Sequence, residues 1–327
     1  MEQNENMEQQ NKETPSIRYE DSLFMVKKEV GRALLTAPVI VRGYTGHMAS
    51  SMGKFIRAAS LLTCAQDRNG CLHENAVKLA AAVEILHLAT LVHDDVIDNA
   101  ELRRGDVTLQ KKFGKRTAVI CGDYLFCLAM KMAGAATDKE QYLELNVPDY
   151  MSRVCLGELN QHQNNGNYNL SAHHYLKIIS GKTAALFEAC FFAGAILAEE
   201  EQQLVRKYTR LGRYIGMIFQ LMDDCMDFEA TEDIARKPVQ SDYEQNVITL
   251  PLIHAFRHMT GLKDKAESTG LTRTEINDAV KRTDGLGATK LLAANYHRKA
   301  RNIISEMDVA DDKKNKLTTI LNKAYGI

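Results

Sequence analysis

The chain has 327 residues, 45% hydrophobic and 25% charged, enough to bury a core in one large domain or two ordinary ones. With 41 basic and 42 acidic residues the net charge is −1, which removes the electrostatic basis for a nucleic-acid binder. Only 5 prolines interrupt long runs of apolar residues at three- and four-residue spacing, so the pattern predicts an all-α protein with no strand alternation.

Residues 1–17 are polar and lack the apolar run of a signal or anchor, and they are expected to form a disordered tail. Residues 18–327 are expected to form one helical domain. No later stretch approaches the roughly 20 uninterrupted apolar residues of a spanning helix, so no transmembrane segment is expected and the cytoplasm is the expected location. The 7 cysteines are odd in number and form no CxxC pair, which reads as reduced and structural.

In chain order, SMGKFIRAAS places Lys54 and Arg57 one helical turn apart. A long Ala- and Leu-rich helix then ends in LVHDDVIDNA, with Asp94, Asp95 and Asp98, and ELRRGD follows with Arg103 and Arg104. AVICGDYLFCLAMKMAGAA is a second helix, and HHYLKIISGKTAALFEACFFAGAILA, with Lys182, a third. VRKYTRLGRYIGMIFQLMDDCMDF ends in a second acid cluster, Asp223, Asp224 and Asp227. These helices are apolar around much of their circumference, as in the centre of a bundle. The polar segment EATEDIARKPVQSDYEQNV, with Lys237 and Pro238, is a candidate lid beside that cluster. Beyond about residue 260 further helices are expected to close the bundle.

Each acid cluster places its first and last carboxylate four residues apart on one helix face, where like charges repel. Apolar flanks make that repulsion worse, so something positive must sit between them. Carboxylates with room for water suit hard divalent ions, and magnesium with a substrate diphosphate is the usual case. Two such clusters read as two walls of one metal-diphosphate site. Lys54, Arg57, Arg103, Arg104, Lys182 and Lys237 supply cations where a diphosphate needs them, and the adjacent arginines must point different ways. Cys225 lies among oxygen donors and is not expected to be a ligand. His93 is read as a histidine satisfied within the bundle, and no zinc site is expected at His162, His173 and His174.

GKFIR, EILHLATLVHDDVIDNAELRRG, CGDYLF, GELNQ, ISGKTAALFEA, GMIFQLMDDCMDF and KPVQSDYEQNVITLP occur in one order between about residues 20 and 260. Together they resemble the polyprenyl synthetase family of trans-isoprenyl diphosphate synthases. The resemblance implies a bundle of long antiparallel helices around a central cavity. It also implies magnesium, three ions with substrate bound, held by Asp94, Asp98 and Asp223 with Asp95, Asp224 and Asp227 in support. Arg103, Lys182, Thr183, Gln220 and Lys237 would clamp an allylic diphosphate, while Lys54, Arg57, His87 and Arg104 would hold isopentenyl diphosphate. A homodimer is implied, as is a possible small partner subunit. Met52, Ala58, Gln240 and Val247 depart from the family pattern.

A helix rises about 5.4 Å per turn, close to one extended isoprene unit, so turns before Asp94 measure product length. Ala89 and Thr90 are small where short-chain members carry bulky aromatics. The expected floor is therefore deeper, at Val83, Leu86, Phe126 and Met130, giving a product of about C30–C40 by analogy. A short-chain synthase, a large subunit inert without its partner, a class I terpene cyclase and a His-Asp phosphohydrolase are the rival readings. The last leaves the second acid cluster and paired arginines unexplained, and a cyclase needs no isopentenyl site.

Overall fold

The computed structural model describes residues 16–49, 53–136, 149–229, 243 and 245–327, and helices dominate among them. In order they are α1 (Tyr19–Leu35), α2 (Val39–Ala49), α3 (Ile56–Cys64), α4 (Glu74–Ile97), α5 (Leu109–Phe113), α6 (Lys115–Ala135) and α7 (Tyr150–Gln163). Then α8 (Ala172–Ile179) runs through a wide π-type turn, Ser180–Ala184, into α9 (Ala185–Leu197), and α10 (Gln202–Glu229) follows. The C-terminal helices are α11 (Leu250–His258), α12 (Leu262–Thr269), α13 (Arg273–Arg282), α14 (Gly285–Ser305) and α15 (Asp311–Tyr325).

Two small antiparallel ribbons accompany the helices: β1 (Ser16–Arg18) with β2 (Cys71–His73), and β3 (Leu102–Arg103) with β4 (Asp106–Val107). Neither alternates long enough to be legible in the sequence. The first also corrects the tail boundary, because Ser16 and Ile17 pair with His73 and Leu72.

The all-α expectation holds, and burial explains why the central helices look apolar all round. On α4, Ala80, Ala81, Ala82 and Val83 are all buried, and four successive positions span most of a helix circumference. One core joins α1, α3, α4 and α6 through Val26, Leu61, Ile85 and Leu125. A second surrounds α8 and α11, and a third joins α9, α10, α14 and α15 through Phe187, Tyr208, Ile304 and Leu321. Helix α10 crosses the π turn at Gly216, where an added Cβ would lie 2.5 Å from Ala184 Cα.

By length and composition three helices could cross a membrane, contrary to expectation: Glu74–Ile97, Lys115–Ala135 and the continuous Ala172–Leu197, with mean hydropathies of 1.5, 1.4 and 1.3. Isolated polar residues break each run, which is why no uninterrupted stretch stood out. The first and third are mostly buried against other helices, whereas α6 exposes Val119, Ile120 and Met130.

Gly216→Ala should destabilise the protein by about 1–3 kcal/mol, because the facing atom is backbone and cannot swing aside. Gly31→Ala meets nothing within 4 Å and should stabilise by about 0.5–1 kcal/mol. Urea midpoints of the two variants measure both shifts.

Candidate active site

The first acid cluster lies at the C-terminal end of α4, where the helix dipole adds negative potential to that of the carboxylates, and the second lies in the last two described turns of α10. Asp94, on α4, has its carboxyl pushed up to about 7 by burial, with Glu158 and Asp98 pushing the same way and Lys182 and Arg103 opposing. Asp98 is also raised, chiefly by burial. The structure meets this cost with Lys182, whose ammonium stands 2.9 Å from Glu158 Oε2. Burial disfavours the Lys182 charge, but Glu158, Asp94 and Asp98 outweigh it and its pKa is raised. Glu158, inside GELNQ, is a site residue that sequence reasoning left without a role.

Thr183, the next residue, faces the other cluster. Its hydroxyl donates to Gln220 Oε1 at 2.7 Å, and Gln220 Nε2 donates to Asp224 Oδ1 at 2.8 Å. Tyr175 donates to the other Asp224 oxygen. One π turn, with Cα atoms about 3.8 Å apart, therefore sends consecutive side chains toward both acid clusters. Two helices pin it. At Gly157 on α7 an added Cβ would lie 2.2 Å from Lys182 N, and Gly216 abuts Ala184 from the opposite helix. Such turns recur at functional sites.

The six aspartates divide by what they already bind. Asp95 accepts from Arg103 Nε at 2.7 Å, Asp224 accepts from Tyr175 and Gln220, and Asp227 is engaged as well. Among the described residues Asp94, Asp98 and Asp223 accept no side-chain hydrogen bond. No three His, Cys, Asp or Glu side chains close on an ion by themselves among the described residues. That suits magnesium, which keeps several waters and takes one or two carboxylates plus substrate phosphates. The oxygen-only donors fit the same ion.

The arginine pair owes its divergence to the β3–β4 turn. Arg104 and Gly105 both have positive φ, 56° and 87°, the signature of a two-residue hairpin turn, and a bulky residue there is strained. The turn is tied down by Thr108 and Gln110, whose side chains donate to Ala100 O at 2.7 and 2.6 Å. Arg103 thus reaches Asp95, while the Arg104 guanidinium packs on Gly53, beside Lys54.

Arg57, 8% exposed, lies over the Phe187 ring and leaves its buried Nε without a hydrogen-bond partner. Burial, with Arg57, Arg104 and Arg103, holds His87 well below its ordinary pKa, so its imidazole is neutral. Glu84 sits among these arginines, its pKa raised by burial, and accepts from Ala58 N at 2.9 Å. A proline at position 58 could not make that bond, so the Ala58 departure adds a tie between α3 and α4. Glu84 lies three residues before His87 on one helix face, a spacing that could have disclosed it.

Val83, Leu86 and Ala89 belong to the α4–α6 core, Phe126 packs against it, and the Thr90 hydroxyl is turned back to His87 O. Met130 is 50% exposed on α6, so within one chain it does not close a floor. Lys237, Met52, Gln240 and most of the candidate lid lie outside the described residues.

A model of the polyprenyl synthetase family matches residues 38–283. The chain belongs to the polyprenyl synthetase family. Component 2 of heptaprenyl diphosphate synthase from Geobacillus stearothermophilus is 33% identical over 290 residues, covering 87% of this chain and 89% of that protein. The crystal structure of heptaprenyl diphosphate synthase from Staphylococcus aureus superposes with a TM-score of 0.87 at 31% identity, covering 96% of this chain and 99% of that one. Polyprenyl synthase from Caulobacter crescentus, complexed with calcium and isoprenyl diphosphate, gives a TM-score of 0.85 at 28% identity over 94% of this chain and 95% of that one. The protein is a prenyl diphosphate synthase and thus a prenyltransferase.

Lys182→Met would leave Glu158, Asp94 and Asp98 without their shared cation. The metal-free variant should lose about 1–3 kcal/mol of stability, since the ion pair is only partly withdrawn from water. Magnesium should raise its melting temperature more than that of the unaltered protein, and an equal response in both would contradict this electrostatic account.

Proposed function

We propose that the enzyme condenses isopentenyl diphosphate head-to-tail with an allylic diphosphate, farnesyl or geranylgeranyl, in a magnesium-dependent reaction. The products would be diphosphate and an all-trans polyprenyl diphosphate of about C30–C40. The observation that carries this reading is the π turn, whose Lys182 and Thr183 reach toward two distant acid clusters at once.

In this reading Asp94, Asp98 and Asp223 hold the magnesium ions, which supply positive charge to the departing diphosphate. Asp95 keeps Arg103 in place, and Asp224 does the same for Gln220. Lys182 exchanges its carboxylate partners for diphosphate oxygens, with Arg103, Thr183, Gln220 and Lys237 completing the clamp. The allylic C–O bond breaks with its electron pair leaving on the diphosphate, and the resulting cation is sheltered from water. Isopentenyl diphosphate rests on Lys54, Arg57, His87 and Arg104. The neutral His87 can still donate a hydrogen bond, and the unpartnered Arg57 Nε is a donor awaiting an anion. The double bond of isopentenyl diphosphate attacks the cation to form the new C–C bond, and the proton then lost passes to the released diphosphate. The product is again allylic and can react further.

Chain length is argued from α4. Ala89 and Thr90 leave the first turn below Asp94 open, and Leu86, Val83 and Phe126 form the next apolar layer. Related proteins carry heptaprenyl, octaprenyl and short-chain names, so the length rests on this packing alone.

We also propose a homodimer, working in the cytoplasm, for which Val119, Ile120 and Met130 of α6 and Leu156 and Leu159 of α7 offer exposed apolar side chains. A second reading is favoured by relatives named as component 2 of heptaprenyl diphosphate synthase. There, this chain would be a large subunit needing a dissimilar partner.

The isolated protein, given farnesyl diphosphate, isopentenyl diphosphate and magnesium, should release diphosphate and yield one main lipid of about six to eight units by chromatography. Elongation only after a small subunit is added would support the second reading. Release of inorganic phosphate or of a cyclic hydrocarbon would contradict both. Ala89→Phe, which blocks the helix turn nearest the acids, should shorten the product by about two units or more, and an unchanged length would exclude α4 as the measuring helix.

A further inference from the structure

The hydrogen-bonded series Tyr175–Asp224–Gln220–Thr183 has a direction built into it. An ionised carboxylate only accepts, so Asp224, 2% exposed, must be met by the NH2 end of Gln220. The amide's two ends are nearly equal in shape, and packing alone does not choose between them. With its nitrogen turned to Asp224, Gln220 offers its oxygen to Thr183, whose hydroxyl must then donate. The Thr183 hydrogen is committed, and only lone pairs remain on that oxygen for any third group.

Tyr175 stands at the head of this series, on α8 just before the π turn, and its hydroxyl donates to the second oxygen of Asp224. Two donors on opposite oxygens fix the plane of the carboxylate. We propose that Tyr175 is a positioning residue: through Asp224 it fixes which end of the Gln220 amide meets Thr183, and so the polarity that Thr183 presents to the reaction cavity. This rests on the reading that Thr183 and Gln220 border the allylic substrate. Tyr175 lies 49 positions from Asp224, and nothing in its local sequence discloses the connection.

Tyr175→Phe removes the hydroxyl and little volume. The carboxylate loses one of the two donors that fix its plane, which weakens its hold on the Gln220 amide and on the end that amide presents. Loss of a hydrogen bond to a charged group should lower kcat about ten- to hundredfold. The KM for isopentenyl diphosphate should stay within about twofold, because that subsite is built on other helices. Adding Asp224→Asn should cost little more, since both changes break one series. Tyr208→Phe is the control, because that buried hydroxyl has no hydrogen-bond partner to lose.

A folded Tyr175→Phe enzyme with normal kcat would overturn the proposal, as would losses that multiply in the double variant. Should Tyr175→Phe not fold, Gln220→Glu sets two acceptors face to face and must lower kcat similarly, and normal kcat there overturns the proposal equally. If the unaltered protein elongates no substrate, alone or with a small subunit added, the proposed function fails, and crystal structures of Tyr175→Phe and the unaltered protein still decide this inference. Loss of the Gln220–Asp224 contact in the variant supports it, and an unchanged contact refutes it.

Discussion

Carboxylates gathered in two clusters, with little water to screen them, must be neutralised, and the molecule is arranged around that demand. The Lys182 ammonium meets it on one side, shared among Glu158, Asp94 and Asp98. On the other, Asp224 is satisfied by neutral donors, Tyr175 and Gln220. The two solutions differ in consequence. A lysine can swing toward an arriving anion and leave its carboxylates to metal ions, whereas a carboxylate held by Tyr and Gln side chains stays where it is. One cluster is therefore poised to exchange partners and the other to hold position.

Backbone packing makes this possible. The π turn between α8 and α9 needs close approach from both sides, and glycines on α7 and α10 allow it. A second irregularity, the positive φ at Arg104, separates two adjacent arginines so that one serves Asp95 and the other the Gly53–Lys54 segment. In both places an energetically costly local conformation coincides with charged groups aimed at one region, as expected where strain is tolerated for function.

Much of this was legible in the sequence, for physical reasons. Helical periodicity and burial on several faces of α4 leave an apolar pattern, and acids after such a run betray unmet charge. Other features leave no such trace. The Tyr175–Asp224 bond joins residues far apart in the chain, and Glu158 gains meaning only when the π turn brings Lys182 to it. The two short ribbons are too brief to alternate visibly, and Met130 reads as core by spacing although it faces outward. Ala58 looked like the loss of a proline and is instead the donor of a bond that proline cannot make.

The central claim is that the two acid clusters serve one diphosphate. A crystal structure of the protein with magnesium and inorganic diphosphate tests it most directly. The account predicts ions that join diphosphate oxygens to Asp94 and Asp98 on one side and to Asp223 on the other, with Lys182 moved from Glu158 toward the anion. Ions confined to a single cluster, or a diphosphate that touches only one of the two helices, would contradict it.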